Sequence, residues 1–286
     1  MSGPGAGFEY PAQEVSWLKR DVLLFAVSIG CTVDELHFIY EVIDFYKASS
    51  KTPIPGVPKF DSRRVVDGER HLTFLKPLPT TSAGRTFELR SKIVGVYDKG
   101  KASVVETQQE IVDKATGEVY TRAIGSAFYV GQGNWGGPKG PAAKSYLPPK
   151  GKKPDAVVTH PTTLESAHLY RLNGDYNPLH ATPEPGKAMG FGGTIMHGLS
   201  TWNFTAHDLL KELGGSDPKN IKEFQARFAS PVKPGDKLVT EIWKTGEFDK
   251  DGFEEIRFQT AVEGGKVCLS NGRAVIKPAA KKGSKL

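Results

Sequence analysis

The stretch TFELRSKIVGVYDKGKASVVETQQEIVDKATGEVYTRAIGSAFYVG, from Thr86 to Gly131, decides the fold. Apolar and polar residues alternate along it with a period of two, which is typical of half-buried β-strands. Turn-forming residues interrupt the alternation at Asp98-Lys99-Gly100 and at Ala115-Thr116-Gly117. The stretch therefore predicts three antiparallel strands joined by tight turns.

The same pattern occurs a second time, in EFQARFASPVKPGDKLVTEIWKTGEF (223–248) and GFEEIRFQTAVEGGKVCLSNGRAVIK (252–277). Apolar residues at helical spacing precede each set of strands. In the first half they lie in VSWLKRDVLLFAVSIG and DELHFIYEVIDFYKA, and in the second in HGLSTWNFTAHDLLKEL, His197–Leu213. A helical part followed by an antiparallel meander, found twice, predicts an α+β fold with an internal duplication.

A segment rich in glycine, proline and lysine separates the two patterns. It runs over residues 131–155 and has the composition of a linker or of a loop that covers a sheet edge. The predicted organisation is an N-terminal half over 1–130, this linker, a C-terminal half over 156–280 and a tail over 281–286.

Composition excludes several classes of protein. The net charge is +6, but the basic residues are scattered, and no basic face interleaved with aromatics predicts nucleic-acid binding. A few of these cations could instead hold the phosphates of a coenzyme A adenylate. No apolar run approaches the ~18 residues that span a bilayer. Cys31 and Cys268 are too few and too far apart for a disulfide framework or a zinc finger.

Titratable residues are concentrated in one short segment of the second half. Gly174 and Pro178 bracket a tight turn that can direct Asp175, Asn177 and His180 toward one point. Histidine has a reference pKa of about 6.5, so it can accept and return a proton near neutral pH. The segment is a candidate acid–base site.

Other interpretations of this segment stay open on spacing alone. Asp and Asn in such turns commonly bond their own backbone. Asp175, His180 and His197 could ligate a metal, but no His pair at i, i+4 and no fourth ligand lie nearby, so we predict no metal. No G-x-S-x-G elbow favours a serine nucleophile.

The run GDYNPLH (174–180), followed by His197-Gly198, resembles the signature of the (R)-specific 2-enoyl-CoA hydratases, the MaoC-like hydratase 2 family. RDVLLFAVSIG, KPLP, VYDKGKA and ARFASPVKPGDKL extend the similarity to the eukaryotic two-domain peroxisomal type over nearly the whole chain. The resemblance implies a double hot-dog fold, in which each half wraps an antiparallel sheet around a long central helix. It places catalysis in the C-terminal half and the acyl chain in the N-terminal half.

The resemblance also implies roles for individual residues. Asp175 and His180 would activate water and exchange protons, Asn177 would position the water or His180, and the Gly198 N–H would bind the thioester oxygen as negative charge builds on it. No cofactor is expected, because coenzyme A is part of the substrate. The residues implied in acyl-CoA binding are Asp67, Gly68, Lys99, Tyr176, Pro178, Leu179 and Phe228.

The chain departs from the family pattern at three positions. Asn173 stands where a small residue is usual, Gly186 where Ala or Ser is usual, and Asp67 where many relatives have His. These departures put the Asp67 contact and the substrate preference in question, while leaving the Asp–Asn–His trio in place.

The expected reaction is the hydration of trans-2-enoyl-CoA to (3R)-3-hydroxyacyl-CoA in peroxisomal fatty acid β-oxidation. Ser284-Lys285-Leu286 matches a peroxisomal address, so the expected partners include an import receptor as well as acyl-CoA and a second copy in a homodimer. The alternatives are a dehydratase of a hydroxyacyl thioester in a specialised pathway and a non-catalytic module that binds acyl-CoA. Hot-dog thioesterases lack the GDYNPLH loop.

Overall fold

A computed structural model describes residues 3–31, 54–61, 64–164, 166–171, 173–175 and 177–279 of the chain. These residues form ten β-strands, most of them in the two alternating stretches that the sequence predicts. The strands are β1 Gln13–Val15, β2 Val65–Phe74, β3 Phe87–Asp98, β4 Ala102–Asp113, β5 Val119–Val130, β6 Ala156–Pro161, β7 Ile221–Phe228, β8 Lys237–Phe248, β9 Glu254–Val262 and β10 Val267–Ile276.

All ten strands belong to one antiparallel sheet in the order β1-β3-β4-β5-β2-β7-β10-β9-β8-β6. The order is symmetrical about its centre, because β1 to β5 occupy the same relative places in the first half as β6 to β10 in the second. β2 and β7 pair along the centre, with Glu69 opposite Arg227 and Thr73 opposite Glu223. The two halves therefore share one hydrogen-bonded sheet.

Four α-helices lie in the described residues. Their bounds are α1 Lys19–Ser28, α2 Ser166–Arg171, α3 Pro183–Ala188 and α4 Gly198–Gly214, and single 3-10 turns cover Pro178–His180 and Pro218–Asn220. None of these helices combines the length and the hydropathy needed to cross a bilayer. The α+β double hot-dog fold is confirmed, with α4 as the long central helix of the C-terminal half.

The helix α4 agrees with the predicted helix to within one residue at each end. It ends where Gly215 adopts the left-handed conformation, φ 63°, and donates its N–H to the Leu210 carbonyl. Its apolar residues pack against one face of the C-terminal strands. The fully or nearly fully buried residues of this cluster are Trp202, Leu209, Leu213, Phe224, Ala226, Ile242, Ile256, Phe258, Leu269, Ala274 and Ile276.

The first helix begins at Lys19, four residues later than its apolar spacing predicts. The N–H of Trp17 donates to Ser82 Oγ at 3.1 Å, and that hydroxyl donates back to the Trp17 carbonyl at 3.0 Å. Trp17 is buried and its backbone is thus held by the β2–β3 connection, outside the helix. The second predicted helix of this half, residues 34–48, lies outside the described residues.

A second core cluster joins the two halves. Ala26, Ile29 and Cys31, at and beyond the end of α1, pack with residues that surround the start of α4, among them Met196 and Phe204. Burial of such side chains is worth about 25 cal/mol per Å² of apolar surface. The N-terminal half therefore supports the segment that carries the candidate site.

The connection 131–155 runs between β5 and β6 as turns and extended chain. It is held to the sheet, because the Tyr146 N–H donates to Asn271 Oδ1 of β10 at 2.6 Å. The Tyr146 ring also lies against the guanidinium groups of Arg257 and Arg273, at 5.0 and 5.6 Å. The predicted boundaries of the halves stay a prediction, but the segment between them covers part of the sheet.

Candidate active site

The loop that follows α2 folds into two consecutive side-chain turns. Asp175 Oδ1 accepts from the Asn177 N–H at 3.1 Å, and Asn177 Oδ1 accepts from the Leu179 N–H at 3.0 Å. The Asn177 carbonyl then accepts from the His180 N–H at 3.1 Å. Gly174 enters the loop with φ 114°, where a side chain would be strained. Asp175 and Asn177 therefore do bond their own backbone, and these bonds direct His180 inward.

His180 lies beneath this loop with only 8% of its surface exposed. Its Nδ1 atom is 2.9 Å from the Ile195 carbonyl oxygen. A carbonyl only accepts hydrogen bonds, so Nδ1 carries the ring hydrogen and Nε2 keeps its lone pair. Burial lowers the pKa of His180 and prevails over the opposing effects of the Ile195 carbonyl and the Asp175 carboxylate. His180 is thus a neutral base near pH 7.

His197 lies directly against His180 and Asp175. Its ring stacks on the His180 ring with centroids 3.7 Å apart and planes inclined by 27°. Its Nε2 is 3.2 Å from the Asp175 carbonyl oxygen and 3.7 Å from Asp175 Oδ2. Burial, and next the neighbouring His180, lower the pKa of His197 to about 4. Two neutral imidazoles and one carboxylate therefore meet in one place.

Asp175, His180 and His197 each offer one ligand atom, and these atoms lie within 4.8 Å of one another. A metal requires lone pairs that converge on one point. Two of these atoms belong to imidazole rings that are stacked face to face. The expectation of no metal remains a prediction.

The start of α4 brings together residues from three elements. A Cβ atom built on Gly198 would lie 3.0 Å from Phe228 Cδ1 at the end of β7 and 3.5 Å from Asp67 Oδ2 in β2. The side chain of His197, which precedes the helix, makes no capping hydrogen bond to it. The N–H groups of a first helical turn have no partner within the helix, and the positive end of its dipole lies there. This is a suitable place for negative charge.

Asp67 reaches the site from the N-terminal half. The register of β2 against β5 shifts between Asp67 and Glu69, so Gly68 lies at a bulge. The Asp67 side chain keeps access to solvent, but many protein atoms surround it. This crowding raises the pKa of Asp67, and Asp175 raises it further, while Arg70 opposes both. Asp67 therefore shares the electrostatic environment of the loop over residues 173–180, the candidate catalytic loop.

Lys99 lies in the β3–β4 turn, farther along the same end of the sheet. Asp67 is opposite Ala127, which is opposite Val105 of β4, two strands away. Strand spacings put the turn on the order of 15 Å from Asp67. The Lys99 ammonium donates to the Lys139 carbonyl at 2.5 Å. Lys99 is thus outside the catalytic loop, at a distance that only an elongated ligand could bridge.

The remaining predicted contact residues belong to the loop itself. Leu179 is buried, 6% exposed, and its backbone carbonyl faces the Ile195 N–H at 3.5 Å. Pro178 begins the 3-10 turn that ends at His180. Tyr176 lies outside the described residues.

Both halves of the chain match known protein families. Residues 146–266 match the model of the MaoC like domain, and residues 16–131 match that of the MFE-2 hydratase 2 N-terminal domain. The chain is 34% identical to "Probable enoyl-CoA hydratase 2" of Dictyostelium discoideum, over 95% of this chain and 94% of that protein. The chain belongs to the MaoC-like hydratase 2 family.

Two further similarities agree with membership of the hydratase 2 family. The chain is 45% identical to "Probable dehydratase NIT22" of Ajellomyces capsulatus, over 94% of this chain and 81% of that protein. It superposes on the solved structure of the full-length peroxisomal multifunctional enzyme type 2 of Drosophila melanogaster with a TM-score of 0.73 and 29% identity. That match covers 95% of this chain and 48% of the other. The protein is an enzyme of the hydratase family.

One departure from the hydratase 2 pattern links the two halves. Asn173 Nδ2 donates to Ser28 Oγ of α1 at 2.5 Å and to the Tyr170 carbonyl at 3.0 Å. Ser28 Oγ in turn donates to the Phe25 carbonyl at 2.8 Å. The small residue that is usual in the family could not span this distance. Asn173 therefore ties the start of the catalytic loop to the N-terminal half.

At Gly186, the second departure from the hydratase 2 pattern, the structure leaves no room for a side chain. A Cβ atom on Gly186, in α3, would lie 1.8 Å from the Gly193 carbonyl oxygen. The Ala or Ser usual in the hydratase 2 pattern would require the 191–195 segment to move. In this chain the segment leads directly to His197 and Gly198.

Sequence reasoning missed His197 as a partner of the acid–base pair and considered it only as a metal ligand. The signal available was its position next to Gly198, in the HG pair that precedes the helix. Its ring contact with His180 depends on the path of residues 181–196, which no local pattern specifies.

Proposed function

We propose that this enzyme adds water reversibly to trans-2-enoyl-CoA and produces (3R)-3-hydroxyacyl-CoA. The observation that carries the proposal is the pairing of Asp175 with a buried, neutral His180 in front of the α4 N-terminus. The similarity over nearly the full length of both chains to a protein named for enoyl-CoA hydratase 2 supports the substrate class.

The proposed reaction uses the pair as base and acid in one cycle. One member takes a proton from water while the water oxygen bonds to C3 of the enoyl group. The C2=C3 electron pair moves onto C2 and the thioester oxygen, and the proton taken from water passes across the pair to the other member, which delivers it to C2. His180 suits the first step, because its Nε2 lone pair is free and its lowered pKa keeps it neutral. The pair ends with the number of protons with which it began.

Gly198 would stabilise the enolate that forms between these steps. Its N–H is the first of α4, and the absence of a side chain leaves room beside Phe228 and Asp67. A preorganised N–H at the position where charge develops typically contributes 10²–10³-fold in rate. Asn177 would act by holding the turn that ends at His180, since its Oδ1 already accepts the Leu179 N–H.

The acyl-CoA would extend from this point toward the first half. We assign Phe228, Asp67 and Gly68 to the wall next to the thioester and Lys99 to a more distant, charged part of the ligand. Coenzyme A is long enough to bridge the separation of about 15 Å given by the sheet spacing. Tyr176, Pro178 and Leu179 would line the same site from the catalytic loop.

The test is a pair of substitutions that preserve side-chain shape. Asp175→Asn and His180→Gln should fold normally and lower kcat by roughly 10²–10⁴-fold, the usual size of an acid–base contribution. Loss of the enoyl chromophore gives the rate, and chiral chromatography of the product gives the stereochemistry. His168→Gln is the control, because His168 is exposed on nearby α2. Full activity in either variant, or an (S)-product from the wild type, would contradict the proposal.

A second candidate is dehydration of a hydroxyacyl thioester in a specialised pathway. It is favoured by the 45% identity to the protein named a dehydratase. A catalyst accelerates both directions, so the direction of the assay does not separate the candidates, whereas the acyl group does. The two candidates are distinguished by their preferred acyl group. We would compare kcat/KM for short, medium and long straight-chain enoyl-CoAs with kcat/KM for branched or functionalised thioesters. Uniformly poor turnover of all straight-chain enoyl-CoAs would favour the second candidate.

We further propose that the enzyme needs no cofactor, works in the peroxisome in fatty acid β-oxidation and forms a homodimer. The peroxisomal proposal rests on the similarity to an enzyme with that location in its name. A fluorescent fusion should be punctate in cells and diffuse after deletion of Ser284–Leu286. Activity should survive chelation with EDTA, and light scattering should give twice the mass of the chain. Diffuse fluorescence of the wild-type fusion would contradict the peroxisomal location. Loss of activity in EDTA would contradict the absence of a cofactor, and the mass of a monomer would contradict the homodimer.

A further inference from the structure

His197 is a buried titratable residue to which the proposed reaction gives no step. Only 2% of its surface is exposed. It contacts both members of the proposed acid–base pair and, on another side, the Tyr170 ring at a centroid distance of 5.0 Å. A side chain so placed can control the pair without touching substrate.

The contact with Asp175 is a hydrogen bond of defined direction. The Asp175 carbonyl only accepts, so His197 Nε2 carries the hydrogen and donates over 3.2 Å. Its Nδ1 is then bare, and it is buried without a hydrogen-bond partner among the described residues. The same Nε2–H lies 3.7 Å from the carboxylate oxygen Oδ2. One donor thus faces both the backbone and the carboxylate of Asp175.

The contact with His180 uses the face of the ring. The stack covers one side of the His180 imidazole, while the Ile195 carbonyl holds its Nδ1 edge. These two contacts fix the orientation of the His180 ring, and with it the direction of the Nε2 lone pair. The charged groups that act on these rings are Asp175, Asp67 and Arg171.

We propose that His197 is the positioning residue of the acid–base pair: its N–H holds Asp175 and its ring face holds His180, so that it sets their separation. The proposal rests on the proposed function, because it assigns the geometry of that same pair. The role also requires a neutral His197, since an imidazolium there would oppose the proton that His180 must accept. Burial of the ring provides this neutrality.

Two substitutions separate the two contacts. His197→Phe keeps an aromatic face against His180 and removes the N–H, whereas His197→Gln keeps a donor near Asp175 and removes the ring. We expect each to lower kcat roughly 10- to 100-fold, as loss of an orienting partner does, with KM nearly unchanged. The acid limb of the profile of kcat/KM against pH reports the pKa of His180. In the His197→Phe variant this limb should lie at the same pH as in the wild type. In the Gln variant it should move toward pH 6.5, because water reaches the uncovered ring.

His207→Gln is the matched control. His207 is also a buried histidine, 7% exposed, but it lies within α4, ten residues after His197 and beside Asp208, away from the catalytic loop. It should keep the wild-type kcat and the wild-type profile. Thermal melts of all three variants identify any general loss of stability, which would lower active enzyme concentration without a shift of the acid limb.

Imidazole ¹⁵N NMR of the wild type gives a test that does not depend on variants folding. It should show His197 as the neutral Nε2–H tautomer at pH 6, with Nδ1 unprotonated. The Nδ1–H tautomer, or wild-type kcat and profile in folded His197→Phe and His197→Gln, would overturn the proposal. If Asp175→Asn and His180→Gln are inactive in that case, only this inference fails. If they too are active, the proposed function fails.

Discussion

At the residue scale, the candidate site depends on environments that change the chemistry of common side chains. A solvated histidine with a pKa near 6.5 is half charged near that pH, whereas burial keeps His180 and His197 neutral there. Asp67, by contrast, is held toward its protonated form by crowding and by Asp175.

The lowered pKa of His197 predicts how stability depends on pH. The unfolded chain binds a proton at this residue below about pH 6.5, but the folded chain binds it only near pH 4. The free energy of unfolding should therefore be fully maintained above pH 6.5 and fall as the pH decreases through 6.5 toward 4. The difference of about 2.5 pKa units corresponds to roughly 3 kcal/mol.

Urea unfolding followed by tryptophan fluorescence between pH 7 and pH 4.5 measures this effect. His197→Gln should lose less stability on acidification than the wild type, because it lacks the group. The lowered carboxylate pKa values, such as that of Glu223 at about 2, affect both proteins equally. Parallel curves for the two proteins would show that burial of His197 does not control its protonation.

At the element scale, the decisive feature is the point where α4 begins. The end of β7, the bulge in β2 and the segment before the helix converge on Gly198, which has no side chain to keep them apart. Helix dipole, orphan N–H groups and the neighbouring His197 are all properties of this one terminus. In the proposed reaction this element would supply the charge-stabilising group, and the preceding loop would supply the acid and the base.

Gly198→Ala tests this convergence. The added methyl group would lie 3.0 to 3.1 Å from the Phe228 ring, so the ring must shift by a few tenths of an ångström. Alanine favours a helix over glycine by about 1 kcal/mol, so stability should be preserved. We expect kcat/KM to fall by roughly 10-fold or more, because the methyl group and the displaced ring obstruct the thioester position.

The control for this substitution is Gly125→Ala in β5. A Cβ atom there has only an ordinary contact, 3.8 Å from Arg70 Nη1. Stopped-flow or steady-state hydration assays compare the two variants with the wild type. Equal activity in all three would mean that the space next to Gly198 is not part of the site.

At the scale of the whole molecule, the two halves form one sheet and one site. Five β2 residues pair with β7, and the end of α1 packs into the core below the catalytic loop. Asp67 of β2 and the Ser28–Asn173 contact reach the loop from the N-terminal half. The second half alone would expose both its central strand edge and part of its core.

Separation of the halves should therefore abolish the fold, whereas a nick between them should not. A fragment of residues 156–279 alone is expected to be insoluble or unfolded, because β7 loses its partner and the cluster around Met196 loses α1. A protease site placed at Lys150-Gly151, which is exposed, should give a cleaved protein that stays associated and active. Circular dichroism, gel filtration and hydration assays distinguish the outcomes. A soluble, active isolated fragment would contradict the shared fold.

Local sequence patterns were sufficient for most of the strands and for α4. Alternation over residues 86–131 and 223–277 predicts the strands because a half-buried strand repeats every two residues, and the apolar spacing of His197–Leu213 predicts α4 to within a residue. The short strands β1 and β6 escaped this reasoning, since three and six residues carry little periodicity. The late start of α1 also escaped it, because the contact of Trp17 with Ser82 spans 65 residues.

The sequence by itself determined the fold class and the family resemblance, and it named Asp175, Asn177, His180 and Gly198 as candidate site residues, because these lie within short runs that match the family pattern. Only the tertiary structure shows how distant residues reach them: Asp67, which the resemblance names, lies near Gly198 because β2 pairs with β7, and His197 contacts His180 through the path of the chain from 181 to 196. The protonation states also belong to the tertiary level. Burial and the distances between charges determine them, and neither is a property of neighbouring residues along the chain.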